Sequence, residues 1–258
     1  LLTLVVGLPA AYLFSHFEFT GRKFLRIIAL LPFILPTVVV AVCFNSLLGP
    51  RGWLNVGLMA LFHLSEPPIR LLNSLPAILL AHVFYNSSVI IRIVGGAWGR
   101  LDRKLTQAAQ MLGANPWRVF WEVIFPLLLP AIAGASLLVF LFDFTSFGVV
   151  LMLGGPKFAT LEVSIYTQAF HLFNLPMAGL LSLIQLICTL AISIVHNRLS
   201  THKSSALSPR SESANLRKPK TWQEKAFISI LLLVLFTLVL APLLGLGLRS
   251  VVKLEAAR

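Results

Sequence analysis

A chain of 258 residues that is 57% apolar, only 12% charged and has a mean hydropathy of +0.88 lacks the composition of a soluble domain and reads as a polytopic membrane protein. Its 21 Lys and Arg against 9 Asp and Glu give a net charge of +12, but the bases lie in loops between apolar runs and form no stripe interleaved with aromatics, which argues against a nucleic-acid partner. Cys43 and Cys188 sit far apart inside apolar segments, offer neither a disulfide framework nor metal-site spacing, and read as small hydrophobes.

Crossing about 30 Å of hydrocarbon takes about 20 helical residues, and only helices or closed barrels satisfy their backbone groups there. The apolar runs are too continuous for barrel strands, so the expected fold class is all-α, a polytopic membrane helix bundle with about six spans. They are placed near 1–15, 24–48, 71–95, 127–152, 176–197 and 226–248. The opening run LLTLVVGLPAAYLF has no initiator Met, basic n-region or small-residue cleavage site, so it is expected to be an incomplete span preceded by missing sequence rather than a signal peptide. Pro32 and Pro36 in the second span, Pro130 in the fourth and Pro242 in the sixth are expected to be tolerated inside a bundle.

Lys and Arg near span ends are retained on the cytoplasmic side. One set of alternate loops holds Arg22, Lys23 and Arg26, then Arg100, Arg103, Lys104 and Arg118, then Arg198, Lys203, Arg210, Arg217, Lys218, Lys220 and Lys225. The opposite set holds Arg51, Arg70, Lys157, Arg249, Lys253 and Arg258. The 100–126 loop and the 198–225 segment are therefore expected in the cytoplasm, and the 49–70 and 153–175 loops outside. Segment 198–225 is rich in Ser, Lys and Arg and poor in apolar residues, as a solvated linker is. The run AFISILLLVLFTLVLAPLLGLGL after it opens a further span.

The 100–126 loop is polar yet patterned. Leu101, Leu105, Ala108 or Ala109 and Leu112 recur on one apolar face of a helix expected over Leu101–Leu112, with Asp102 at the positive end of its dipole. Gly113 permits a left-handed cap, Asn115-Pro116 enforces a break, and a second helix is expected from about Trp117 into the membrane at Pro126. Taken as an isolated helix, this element fits a headgroup-level amphipathic helix with Trp98, Trp117 and Trp121 at the interface as well as it fits a docking element.

The spacing E-A-A-x3-G-x9-I-x-L-P discriminates between these readings. The chain supplies Gln107, Ala108, Ala109, Gly113, Val123, Phe125 and Pro126 at that spacing, with Gln107 replacing the leading acid. Together with GPRGWLN at 49–55, LAHVFYN at 80–86 and TSFGVVLMLGGPKFATLEVSIYTQAF at 145–170, it resembles the permeases of type I ABC importers, ferric iron and thiamine branch. That resemblance implies residues 1–197 as the first half of a fused two-half permease, 198–225 as the linker, and 226–258 as the truncated start of the second half. It also implies a bacterial inner-membrane protein moving ferric iron, or next thiamine, delivered by an extracytoplasmic solute-binding protein. Gln107, Ala108, Ala109, Gly113, Asn115, Pro116, Arg118 and Pro126 would press on a cytoplasmic ABC ATPase dimer. This chain has no G-x-x-x-x-G-K-[ST] loop, so ATP and Mg are expected on that partner and no cofactor here.

Asp143 is the only carboxylate deep within an expected span, and with Ser136 and Ser146 it falls on roughly one helical face. It either lines a translocation path or packs between helices. His82, Tyr85 and Asn86 share a face of the third span, where structural hydrogen bonding competes with a path role. His16, His63, His171, His196 and His202 are dispersed without a ligand partner at metal spacing. No convergent catalytic set argues for an enzyme. An ion-gradient-driven secondary transporter and a non-transport membrane scaffold are the competing functions, separated from an ABC permease by whether transport needs a partner ATPase.

Overall fold

The computed structural model describes residues 1–201 and 216–251. Among these residues the regular structure is helical apart from one isolated parallel bridge, Phe17 to Arg217. The helices are α1 (Leu2–His16), α2 (Arg22–Leu30), α3 (Thr37–Leu48), α4 (Trp53–Phe62), α5 (Leu75–Gly99) and α6 (Arg103–Met111). After them come α7 (Pro116–Val119), α8 (Phe125–Phe144), α9 (Gly148–Leu153), α10 (Leu161–Tyr166), α11 (Leu175–Thr201) and α12 (Trp222–Val251). Five stretches are long and apolar enough to cross a membrane: Thr37–Phe62, Leu75–Gly99, Pro116–Phe144, Leu175–Leu199 and Trp222–Gly247, with Leu2–His16 as a shorter apolar helix. The protein is an all-α, multi-pass membrane bundle.

The expected span boundaries shift where the chain meets proline and polar residues. The run expected to be one helix over 24–48 is broken: α2 ends at Leu30, Leu31–Ile34 forms a 3-10 turn, and Pro36 is the N-cap of α3. Pro32 and Pro36 have no N–H to donate to a continuous α-helix; Pro32 lies in the 3-10 turn and Pro36 caps the next helix, so here they mark a break rather than being absorbed. Pro130 and Pro242, in contrast, lie inside continuous α8 and α12. The fourth expected span also stops short, because α8 ends at Phe144 and the chain turns through Ser146 before α9. The stretch Thr37–Phe62 takes in α4, so much of the expected 49–70 outer loop belongs to a span, whereas α10 lies within the expected 153–175 loop. Much of the expected 198–225 linker, from 202 to 215, lies outside the described residues.

The chain forms two compact units. The first comprises Leu1–Leu30, Asn86–Phe142 and Cys188–Leu231. In it α1 lies so close to α5 that a Cβ added to Gly7 would meet Cβ of Ile90 at 2.6 Å. The absent side chain is what lets these helices touch, since small residues allow close approach in lipid. The buried Arg22 donates from Nε to the Phe14 carbonyl at 3.1 Å, and Ser88 Oγ donates to the Ala29 carbonyl at 2.9 Å. The segment leading into α12 is fastened to the end of α1: Arg217 N–H donates to the His16 carbonyl and Glu18 N–H to the Arg217 carbonyl, both at 2.9 Å.

The second unit comprises Leu31–Tyr85, Asp143–Ile187 and Leu232–Arg258. Here α3 packs against α4 and α9, and Phe44 meets Phe84 edge to face at 5.5 Å between ring centres. Asn55, fully buried, ties the α3–α4 connection to the following loop. Its Nδ2 donates to the carbonyls of Gly49 and Ile69 at 2.8 Å, and its Oδ1 accepts from Ile69 N–H at 2.8 Å.

Candidate functional site

Two constellations stand out, one in each unit. The first is the 100–126 loop. Asp102 caps α6 by accepting from Lys104 N–H at 3.0 Å, which satisfies one of the donors that a helix start leaves unpaired. At the other end Gly113 adopts φ +85°, its N–H donates to the Gln110 carbonyl at 2.9 Å, and Ala114 N–H reaches the Ala109 carbonyl at 3.1 Å. These are the two reversed bonds of a Schellman motif, which requires a left-handed residue at the glycine position. Asn115 then caps α7, its Oδ1 accepting from Arg118 N–H at 2.8 Å, and Pro116 occupies the first helical position where no N–H is needed. Arg118 Nε contacts both carboxylate oxygens of Glu122 at 2.9 Å, and a wider π turn at Phe120–Ile124 leads into α8, with Pro126 as its second residue. Stop, turn and restart are thus each fixed by a named bond.

The expected apolar face of α6 is left largely uncovered by its own unit. Leu105, Ala108 and Leu112 are exposed, Leu101 and Ala109 are half-buried, and neighbouring Met111, like Leu112, is 89% exposed. Gln107, Gly113, Asn115, Pro116, Arg118 and Pro126 are exposed as well. On another side of the helix, Gln107 and Gln110 line a cavity of about 690 Å³ whose far wall includes Tyr12, Trp98 and Arg217. Burial opposes the Arg217 charge, but hydrogen bonding and charge pairing with Glu224, at 2.7 Å, and with Tyr12 outweigh it and raise the pKa of the guanidinium.

The second constellation gathers three of the six expected path residues. His82 Nδ1 lies 3.3 Å from Asp143 Oδ1, and its Nε2 lies 2.9 Å from Ser146 Oγ. A ring protonated at Nδ1 donates to the carboxylate and accepts from the serine hydroxyl, so one neutral tautomer satisfies both contacts. Thr160 extends the chain: its Oγ1 donates to the Ser146 carbonyl at 2.9 Å and caps α10 by accepting from Val163 N–H at 3.4 Å. Two residues further on, Glu162 accepts from Gln185 Nε2 of α11 at 3.0 Å. Burial pushes the Glu162 carboxyl up, and the Gln185 bond partly offsets this.

The remaining three path residues do not join this cluster. Ser136 returns its hydroxyl to the Ile132 carbonyl of its own helix at 2.7 Å, and it does not share a helical face with Ser146, which lies beyond the end of α8. Tyr85 donates to the Phe33 carbonyl at 3.4 Å, and Asn86 is buried in the first unit. Sequence reasoning missed Asn55, Thr160, Glu162 and Gln185. Gln185 carried a signal, an uncharged polar residue in an otherwise apolar span, whereas Glu162 lies in a stretch read as an outer loop. Among the described residues no three His, Cys, Asp or Glu side chains converge on a metal position.

A multi-pass bundle with a structured polar loop between two spans is the architecture of a transporter's membrane subunit. The chain belongs to the family of binding-protein-dependent transport system inner membrane components, whose pattern matches residues 3–203. It is 29% identical over 189 residues to a Salmonella typhi protein named 2-aminoethylphosphonate transport system permease protein PhnU, covering 73% of this chain and 65% of that one. It is 31% identical over 249 residues to the Haemophilus influenzae thiamine transport system permease protein ThiP, covering 95% of this chain and 44% of that protein. The chain thus spans less than two thirds of the length of these relatives. The crystal structure of a bacterial ABC transporter that imports the acidic polysaccharide alginate shares the fold, with a TM-score of 0.61 at 18% identity, over 79% of this chain and 78% of that chain.

Proposed function

We propose that the chain forms the pathway of a binding-protein-dependent ABC importer, and that its 100–126 loop is where a separate ATPase dimer docks from the cytoplasm. The observation that carries this reading is the loop itself: a helix capped at both ends by specific hydrogen bonds, packed against α7 and the π turn that leads into α8, with its apolar face uncovered. An element meant to lie passively on a membrane needs no such fixed turn, whereas one that transmits motion must be stiff and must present a surface. ATP and Mg belong to the partner, whose closure biases a two-state bundle through differential binding. A solute-binding protein delivers cargo at the opposite face. In this reading residues 1–197 are the first permease half, 198–225 the cytoplasmic linker and 226–258 the start of the second.

The cargo is a small solute. Of the two suggested by the sequence, thiamine takes precedence over ferric iron, because a thiamine permease aligns with nearly the whole of this chain. The Asp143, His82 and Ser146 cluster suits a cation such as thiamine, offering a carboxylate oriented by an imidazole within the apolar region.

The test places a cysteine at Leu112, in a background lacking Cys43 and Cys188, and cross-links it to the Walker-type ATPase of the same transport system. A cross-link that responds to nucleotide is expected, along with uptake that stops when the ATPase is omitted. Uptake persisting without the ATPase would establish a gradient-driven carrier instead, and an absence of substrate-stimulated ATPase would establish a scaffold.

A further inference from the structure

The cavity behind the docking helix shares walls with the 100–126 loop but lies on a different side of α6 from the exposed apolar face. About 690 Å³ in volume, it falls within the range of ligand sites and is walled by Tyr12, Trp98 and Phe120 on one side and by Gln107 and Gln110 on the other, with Arg217 also lining it. Its depth is set by the spans that end around it. Trp98 is one residue from the end of the Leu75–Gly99 span, Pro116 opens the Pro116–Phe144 span, and His16, which also lines the cavity, closes the short apolar helix. Arg217 precedes the span that begins at Trp222. The lining therefore gathers around the ends of these apolar helices, the level at which headgroups meet a span of this length.

Charge at this boundary favours an anion. Lys104, Lys218 and Lys220 lie within a few residues of the lining positions, while two of the nearby carboxylates are already paired, Glu122 by Arg118 and Glu224 by Arg217. The Arg217 guanidinium sits 4.9 Å over the Phe17 ring, gives Glu224 its Nη2 end and also hydrogen-bonds Tyr12, and its side chain is 35% exposed, so the five N–H donors of the planar fork outnumber these two acceptors. The position where the permease spacing carries an acid is the neutral Gln107, so the cavity wall lacks the charge that would repel a phosphate.

We propose that this cavity binds the headgroup of an anionic phospholipid from the cytoplasmic leaflet, with phosphate at Arg217 and glycerol and upper acyl carbons against Tyr12, Trp98 and Phe120. Because Gln107 and Gln110 belong to the docking helix, the bound lipid braces that helix against α1 and α5 from behind. The sidedness rests on the orientation proposed above. A basic, aromatic pocket at the cytoplasmic ends of spans is the kind of site that holds such lipids.

The test counts the lipid retained by the complete permease released from nanodiscs of phosphatidylcholine mixed with phosphatidylglycerol, read by native mass spectrometry without ATPase or nucleotide. Preferential retention of phosphatidylglycerol is expected, with Arg217→Gln lowering it about tenfold, as loss of one charge-assisted hydrogen bond does, and Arg217→Lys retaining much of it. Gln110→Trp, which fills the cavity and leaves the Arg217–Glu224 pair in place, must lower it too, while Lys23→Gln removes the same charge elsewhere and must not. Equal retention of both lipids, an unchanged Arg217→Gln or Gln110→Trp variant, or an equal loss in Lys23→Gln would overturn the proposal. Displacement by inorganic phosphate as readily as by phosphatidylglycerol would assign the cavity to a free anion and overturn it as well. Failure of the docking reading alone would abolish the Leu112→Cys cross-link and leave lipid retention intact.

Discussion

Replacing Gly113 by valine tests whether the docking loop works through its backbone. The residue sits at φ +85°, and no atom lies within 4 Å of the Cβ it would gain, so the cost of a side chain comes from the left-handed conformation and not from a clash. A β-branched residue held there costs roughly 1–2 kcal/mol or more. Escape to a right-handed conformation instead gives up the two reversed bonds to Gln110 and Ala109, at about 0.5–1.5 kcal/mol each. Either route biases the loop against its native turn by about 2 kcal/mol, a factor of roughly 30. Binding-protein-dependent uptake and the Leu112→Cys cross-link should both fall by at least about tenfold at unchanged membrane insertion. Because the penalty follows φ and not volume, Gly113→Asn should be milder than the smaller Gly113→Ala, since asparagine tolerates the left-handed region. Wild-type uptake in Gly113→Val, or asparagine doing as much damage as valine, would refute the reasoning.

Two further predictions concern the second unit. The His82–Asp143 contact should show a coupling of about 0.5–2 kcal/mol in a double-mutant cycle of His82→Ala and Asp143→Asn, read by thermal unfolding in detergent. If the cluster also lines the path, Asp143→Asn should reduce uptake of a cationic cargo more than it reduces stability. Asn55→Ala leaves the carbonyls of Gly49 and Ile69 and the Ile69 N–H without their side-chain partner and should cost about 2–4 kcal/mol, seen as a lowered unfolding temperature. Asn55→Asp should be at least as damaging, because it sets a carboxylate against two carbonyls. A neutral effect of either would remove Asn55 as the fastener of that loop.

The sequence placed most spans within a few residues, because twenty or so apolar residues leave the chain no alternative to a helix in lipid. It went wrong where a local bond overrode the average. Pro32 and Pro36 read as tolerable kinks but fall at a helix break, and hydropathy alone does not distinguish them from Pro130 and Pro242, which sit in unbroken helices. The caps and the turn of the 100–126 loop were legible almost residue by residue, since caps and left-handed turns depend on neighbours within six positions. The polar cluster was legible only in part. Helical spacing put Ser136 beside Asp143, but the contact that forms joins His82 to Ser146, 64 residues apart, at a helix break that the apolar pattern hid. Glu162 and Gln185 meet across 23 residues for the same reason.

Gln107 shows how a local substitution gains meaning from a distant segment. In the loop alone it is a lost charge at the start of a spacing pattern. In the folded unit it lines the same cavity as Arg217, a residue 110 positions later that is already held by Glu224, Tyr12 and the Phe17 ring. An acid at position 107 would add a second carboxylate to compete for that guanidinium, and the bridge fastening Arg217 to the end of α1 lies immediately beside it. With a neutral amide, Glu224 faces no such competitor, the strap into α12 stays anchored, and the cavity retains a positive edge. The replacement therefore shifts the charge balance behind α6, while the exposed apolar face of the loop, Leu105, Ala108 and Leu112, is left as it was.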